Sequence, residues 1–165
     1  MQLDFTNIFI SSGDAYYVNY SLSLDDFEYG TYKPLKDGVK VVGSAYSKAD
    51  VAHLDITVTF NFYGICDRCA DEFKREYSFD VSKIVVSSLE NEDDDDDYVI
   101  TENNILDIDE LVYQEIQLFL PHKMLCSDDC KGICPECGAN LNRENCNCKK
   151  AVDPRMAALL QLLDE

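Results

Sequence analysis

Nowhere does this chain offer the roughly 18–20 uninterrupted apolar residues that a membrane-crossing helix requires, although apolar residues make up 46% of it. A bilayer-spanning helix is therefore not expected. The amino-terminal Met1-Gln-Leu-Asp-Phe5 carries neither the basic nor the apolar region of a secretion signal. The expected compartment is the cytoplasm, with no membrane partner. Positive charge is also scarce: 14 Lys and Arg face 32 Asp and Glu, a formal net charge of −18. Residues 1–122 hold 8 basic and 25 acidic side chains (net −17), whereas residues 123–155 hold 6 and 5 (net +1). Bare phosphate backbones repel an acidic body, because affinity for nucleic acid rests on basic contacts. Either the charge serves solubility alone, or the direct partner is a basic protein rather than RNA by itself.

What the chain does have is cysteine. Six of its eight cysteines fall between Cys126 and Cys148, and the other two form the upstream knuckle Cys66-Asp-Arg-Cys69. In a secreted mini-protein eight cysteines suggest four disulfides, but a reducing cytosol argues for metal instead. Zn²⁺ prefers four tetrahedral ligands, and two cysteines separated by two residues supply adjacent corners from one tight turn. Cys134-Pro-Glu-Cys137-Gly138 is a strong instance. Proline restricts the turn, and glycine lets the backbone take left-handed torsions that aim amides at the sulfurs. Cys146-Asn-Cys148 follows closely enough to complete a local site, so Cys134, Cys137, Cys146 and Cys148 are assigned to one metal.

Cys66, Cys69, Cys126 and Cys130 then form a second complete set, closing a loop of roughly sixty residues worth ~4 kcal/mol of chain entropy if the disulfide model transfers. The alternative is a zinc ribbon in which Cys66 and Cys69 join Cys134 and Cys137. His122 stands four residues before Cys126 and is left out of both sets. Four thiolates close a zinc shell, whereas catalytic zinc keeps an open position. One or two structural zinc ions are therefore expected, with no catalytic residue. The spacings do not match ferredoxin runs, and no βαβ context supports a thioredoxin-type role for Cys66 and Cys69.

The length allows one domain with a real core plus a small appended module. Leu54, Ile56, Val58, Phe60 and Phe62 alternate with Asp55, Thr57, Thr59, Asn61 and Tyr63, the pattern of a strand with one buried face. Val39–Tyr46 is its expected antiparallel partner. Phe73, Arg75, Tyr77, Phe79 and Val81 alternate again, which puts the upstream knuckle at a hairpin tip. A weaker strand runs from Tyr16 to Leu24. The acidic block Glu90–Asp97 is expected to be a mobile surface loop; it lacks the glycine turn and spaced ligands of a calcium cage.

A helix is predicted from Asp107, where Asp107 and Glu110 have capping-box spacing. Ile108, Leu111, Val112, Ile116 and Phe119 line one stripe, and Pro121 stops the helix. A closing helix is predicted from Asp153, with Pro154 in its first turn and Met156, Leu159, Leu160 and Leu163 on its apolar face. The expected class is α+β: an antiparallel sheet body with one central helix, a cysteine-rich zinc module and a C-terminal helix. The division is 1–122 for the acidic body and 123–165 for the module, its closing helix packed on the body.

These residues resemble the YceD family, the large ribosomal RNA subunit accumulation proteins. The elements that carry the resemblance are Cys66-Asp-Arg-Cys69, Glu115-Ile-Gln-Leu-Phe-Leu-Pro121 and Leu125-Cys126. They continue with Asp129-Cys130-Lys-Gly-Ile-Cys134-Pro-Glu-Cys137-Gly-Ala-Asn-Leu-Asn142, Cys146-Asn-Cys148 and Asp153-Pro-Arg155. They cover roughly residues 66–165 in order. The resemblance implies a non-enzymatic ribosome-biogenesis factor needed for accumulation of 23S ribosomal RNA. Its expected partners are a ribosomal protein or a large-subunit precursor, with ribosomal RNA met directly or through protein. Lys123, Lys131, Arg143, Lys149, Lys150 and Arg155 either offer a surface for that meeting or offset thiolate charge. Two rival classes are an RNA-processing enzyme and a redox- or metal-sensing thiol protein. The enzyme needs converging acid and base groups that the sequence does not assemble.

Overall fold

Alternating apolar side chains make long strands, and long strands dominate the computed structural model, which describes residues 1–10, 15–49, 51–87 and 98–148. In chain order the elements are β1 (Gln2–Asp4), α1 (Thr6–Ile10), β2 (Ala15–Leu22), β3 (Val39–Lys48) and β4 (Val51–Ile65). They continue with β5 (Glu72–Val86), β6 (Tyr98–Ile100), β7 (Ile105–Asp107) and α2 (Ile108–Phe119). The acidic block Glu90–Asp97 and the closing helix expected from Asp153 lie outside the described residues.

The chain divides into two compact units. One comprises Met1–Gly64 and Glu72–Met124; the other comprises Ile65–Asp71 and the described residues from Leu125 onward. The first unit carries a five-stranded sheet in the order β2-β3-β4-β5-β6 and a two-stranded sheet of β1 and β7. β2 with β3 and β3 with β4 pair antiparallel, the latter in the register Val41↔Val58 and Ala45↔Leu54. The edge adds what the periodicity did not reveal, because β6 pairs parallel to β5 through Val85↔Val99. A three-residue strand directly after five aspartates is too short to show a period.

Alternation along β4 translates directly into burial. Leu54, Ile56, Val58, Phe60 and Phe62 are all buried and join one core with Val39, Val41 and Val81. Burying each such side chain contributes about 1.5–3 kcal/mol. The opposite face is a polar ladder: the Thr57 hydroxyl donates to Asp80 at 2.7 Å, Thr59 and Ser78 hydroxyls meet at 3.0 Å, and Tyr46 donates to Asp55 at 2.7 Å. Beside this ladder Lys74 of β5 reaches Asp37, in the turn before β3, at 3.1 Å.

α2 begins where Asp107 leaves the strand. Its carboxylate accepts from the Asp109 amide at 3.0 Å, satisfying one orphan donor of the first turn. Ile108, Leu111, Val112 and Ile116 are buried in the common core, and the Phe119 ring stacks on Phe79 with centroids 4.3 Å apart. Leu120 ends the helix by donating its amide to Ile116 at 3.1 Å before Pro121. The Tyr20 hydroxyl donates to Asp109 at 2.6 Å; burial and that neighbouring carboxylate hold the phenol well above its usual range.

α1 and the small sheet are additions to the sequence reading. Asn103 and Asn104 turn the chain into β7 with φ of 54° and 63°, a conformation asparagine tolerates better than other side chains. The Asn104 carbonyl then accepts from the Phe5 amide at 2.8 Å, joining segments nearly a hundred residues apart. Among the described residues no helix is long and apolar enough to cross a membrane.

Candidate metal centres

In the second unit the eight thiols gather into two groups. Cys66, Cys69, Cys126 and Cys130 form one; Cys134, Cys137, Cys146 and Cys148 form the other. Within each group the four Sγ atoms lie within 4.8 Å of one another. The ribbon alternative, with Cys66 and Cys69 facing Cys134 and Cys137, is not the arrangement found. His122 belongs to neither group.

The two Cys-x-x-Cys turns are built alike. In the first, the Ala70 amide donates to the Cys66 carbonyl at 2.9 Å and the Cys66 amide to the Asp71 carbonyl at 2.9 Å. In the second, the Gly138 amide donates to Cys134 at 2.9 Å and the Cys134 amide to Ala139 at 2.8 Å. Both turns close with a residue at positive φ, 59° at Ala70 and 73° at Gly138. Glycine adopts that conformation freely, whereas alanine there is strained.

This folding of the turn aims amides at sulfur. The Cys137 and Glu136 amides donate toward the Cys134 sulfur and lower its pKa to about 7. Burial pushes Cys66 up, but the amides of Cys126, Arg68 and Cys69 outweigh it and bring the thiol down to about 6. Cys69, Cys126, Cys146 and Cys148 move the other way. Cys148 is pushed up to about 12, first by the adjoining Cys137 and Cys146 sulfurs. One thiolate in a group makes the next harder to form, because like charges this close repel. A divalent cation removes that conflict, since coordinated thiols are deprotonated outright.

The sulfur separations test the fit. Cys66 Sγ lies 3.7 Å from Cys130 Sγ, Cys69 Sγ 3.6 Å from Cys126 Sγ, and Cys134 Sγ 3.3 Å from Cys146 Sγ. A disulfide needs about 2.05 Å, and none of the eight cysteines is in one. A tetrahedron with Zn–S near 2.3 Å has edges of about 3.8 Å. Two of the three separations lie near that edge and the third is shorter, and each group could hold a tetrahedral thiophilic ion. They differ in exposure: Cys66, Cys69 and Cys130 are buried, whereas Cys137 and Cys148 are exposed.

Around the sulfurs is a shell that sequence reasoning did not assign. Arg68 Nη1 donates to the Cys130 carbonyl at 3.0 Å. Asn142 Nδ2 donates to Cys130 Sγ at 3.3 Å and holds that thiol below its ordinary range. Gly132, at φ 78°, passes so close to Arg68 that an added Cβ would sit 3.1 Å from its carbonyl oxygen. The only sequence signal for these residues was their place among the quoted motifs, which says nothing about what they touch. Of the basic residues singled out, Arg143 pairs with Asp71 at 2.9 Å; Lys149, Lys150 and Arg155 lie outside the described residues.

Fold and site together define a strand-rich α+β protein carrying two four-cysteine groups. The family model described as "Large ribosomal RNA subunit accumulation protein YceD" matches residues 54–163, and the chain belongs to that family. Among its relatives is the uncharacterized protein YlbN of Bacillus subtilis, 30% identical over 131 residues that span 77% of this chain and 75% of that protein. The uncharacterized proteins Rv2926c of Mycobacterium tuberculosis and Mb2951c of Mycobacterium bovis are each 26% identical over 110 residues, 65% of this chain and 53% of theirs. The chain thus spans about half the length of these mycobacterial relatives. No solved structure matches.

Proposed function

We propose that this protein is a non-enzymatic ribosome-biogenesis factor of the cytoplasm that supports accumulation of 23S ribosomal RNA, with zinc held structurally in both thiolate groups. The observation that carries the reading is the pairing of family membership with two closed sets of four cysteines. Four sulfurs leave no coordination position for substrate, so such a metal shapes backbone rather than chemistry. When bound, zinc supplies a fixed tetrahedral cross-link. Lys123 and Lys131 are exposed and flank the Cys126–Cys130 stretch in sequence, while Arg143 is engaged with Asp71.

The charge distribution favours protein over bare RNA as the first contact. The strand-rich segment is strongly acidic, and its carboxylates attract a basic ribosomal protein and repel phosphate. Depleting the protein from cells and measuring 23S against 16S ribosomal RNA tests the reading. A selective fall in 23S, restored by the wild-type chain, is the expected result. Unchanged 23S after depletion, or pull-downs at physiological salt that recover neither ribosomal protein nor precursor particle, overturns it.

A further inference from the structure

The segment between the two ligand pairs of the exposed group does more than span them. Asn140, Leu141, Asn142 and Arg143 lie between Cys137 and Cys146, yet their contacts run to the surroundings of the buried group. Asn142 Nδ2 donates to Cys130 Sγ at 3.3 Å, and Asn142 Oδ1 accepts from the Lys131 amide at 2.7 Å. Asn140 Nδ2 donates to Asp71 Oδ2 at 2.8 Å, and Arg143 Nη2 lies 2.9 Å from Asp71 Oδ1. Asp71 itself accepts the Cys66 amide on its carbonyl at 2.9 Å. Between them the Leu141 amide donates to the Gly132 carbonyl at 2.9 Å. Asn140 Oδ1 accepts from the Asn142 amide at 2.9 Å, which sets the bend.

We propose that residues 140–143 are a shared outer shell that makes metal binding at the two groups cooperative, with Asn142 the positioning residue for Cys130. The inference rests on the reading that both groups take a divalent ion. An ion in the exposed group pins Cys137 and Cys146, and with them both ends of this segment. The entropy of ordering Asn142 against Cys130 is then already lost when the buried group binds its own ion. By linkage the effect is reciprocal, so the buried ion tightens the exposed one by the same factor. Outer-shell partners of metal ligands change affinity by 10–100-fold, and that is the coupling expected here. The exposed group thereby governs how firmly the buried group keeps its ion.

Cobalt(II) titration of the metal-free, reduced full chain tests this through the absorption bands of tetrahedral thiolate-bound cobalt, with zinc competition against a chelator giving affinities. Wild type is expected to take two equivalents. Replacing Cys146 and Cys148 together by serine leaves the buried group alone, and its affinity is expected to fall 10–100-fold. Asn142→Ala is expected to cause a similar fall when both groups are intact and a much smaller one on the Cys146/Cys148 background. Asn142→Asp keeps the oxygen that accepts from Lys131 and removes the N–H donor, so it repeats the test if the alanine variant folds poorly. Two equivalents in wild type with buried-group affinity unchanged by removal of the exposed group, or by both Asn142 variants, overturns the coupling and leaves the metal reading intact. Wild type without tetrahedral cobalt bands overturns both.

Discussion

Withdrawing metal from the buried group should weaken the strand-rich unit, and the size of the effect follows from chain topology. Cys69 and Cys126 are 57 residues apart in sequence, with their sulfurs 3.6 Å apart in the fold. An unfolded chain must close that loop before four thiols can meet, at an entropic cost of about 4 kcal/mol. An ion therefore prefers the folded chain by roughly that amount. As free zinc rises, stability climbs as RT ln(1 + [Zn]/Kd). It levels off about 4 kcal/mol above the metal-free protein, once the unfolded chain starts to bind. In thermal unfolding the plateau is a shift on the order of 10 °C.

The exposed group closes only the short span between Cys137 and Cys146, and nothing of the five-stranded sheet lies inside that loop. With ten tyrosines and no tryptophan, tyrosine emission and near-ultraviolet dichroism report the strand-rich unit. At saturating zinc, Cys69→Ser with Cys126→Ser should lose the plateau, whereas Cys146→Ser with Cys148→Ser should largely keep it. Equal losses from the two double variants, or a tyrosine midpoint indifferent to zinc in wild type, would refute the loop argument.

The two knuckles predict opposite outcomes for the same pair of residue types. Gly138 has φ 73° and nothing within 4 Å of an added Cβ, so Gly138→Ala costs only its conformational strain, about 1–2 kcal/mol. Ala70 already bears that strain at φ 59°, and Ala70→Gly should be mildly stabilising, by about 0.5 kcal/mol after the added backbone entropy of glycine. Zinc-dependent unfolding midpoints check both. At the start of α2, Asp107→Ala should cost about 1 kcal/mol of cap energy. Burial raises the Asp107 pKa, but the Asp109 amide, the charged amino terminus and the Glu110 amide together outweigh it and hold the carboxyl below its ordinary value of 3.8. Its contribution is therefore complete above that ordinary value and is lost as pH falls through the lower folded-state one. Urea midpoints between pH 7 and 2 should converge for wild type and Asp107→Ala at the acid end; a gap that persists there counts against the cap.

Much of this molecule could be read before any coordinates. Period-two alternation marked β4 and β5, with β3 expected as the antiparallel partner of β4, because a strand with one buried face has no other way to arrange its side chains. Asp107 and Pro121 bracketed α2 because backbone donors at one end need a partner and proline at the other cannot continue the ladder. The residues of α1, β1, β6 and β7 were not legible in the same way. Each element spans three to five residues, too few for a period. What holds them is distant partners, such as Gln2 opposite Asp107 and Phe5 against Asn104.

At the two cysteine groups, residue type and spacing pointed to a soft donor set held in tight turns with amides turned toward sulfur. Spacing favoured the division into these two fours but left the ribbon open, because Cys66 and Cys69 can in principle also complete a set with Cys134 and Cys137. The fold decided it, since the turn after β4 lies beside Cys126 and Cys130, and their sulfurs come within contact only there. The fold also supplied Asn142 and Arg68. Their roles depend on which sulfur or carbonyl stands 3 Å away, and that is a property of three-dimensional neighbours rather than of position along a chain.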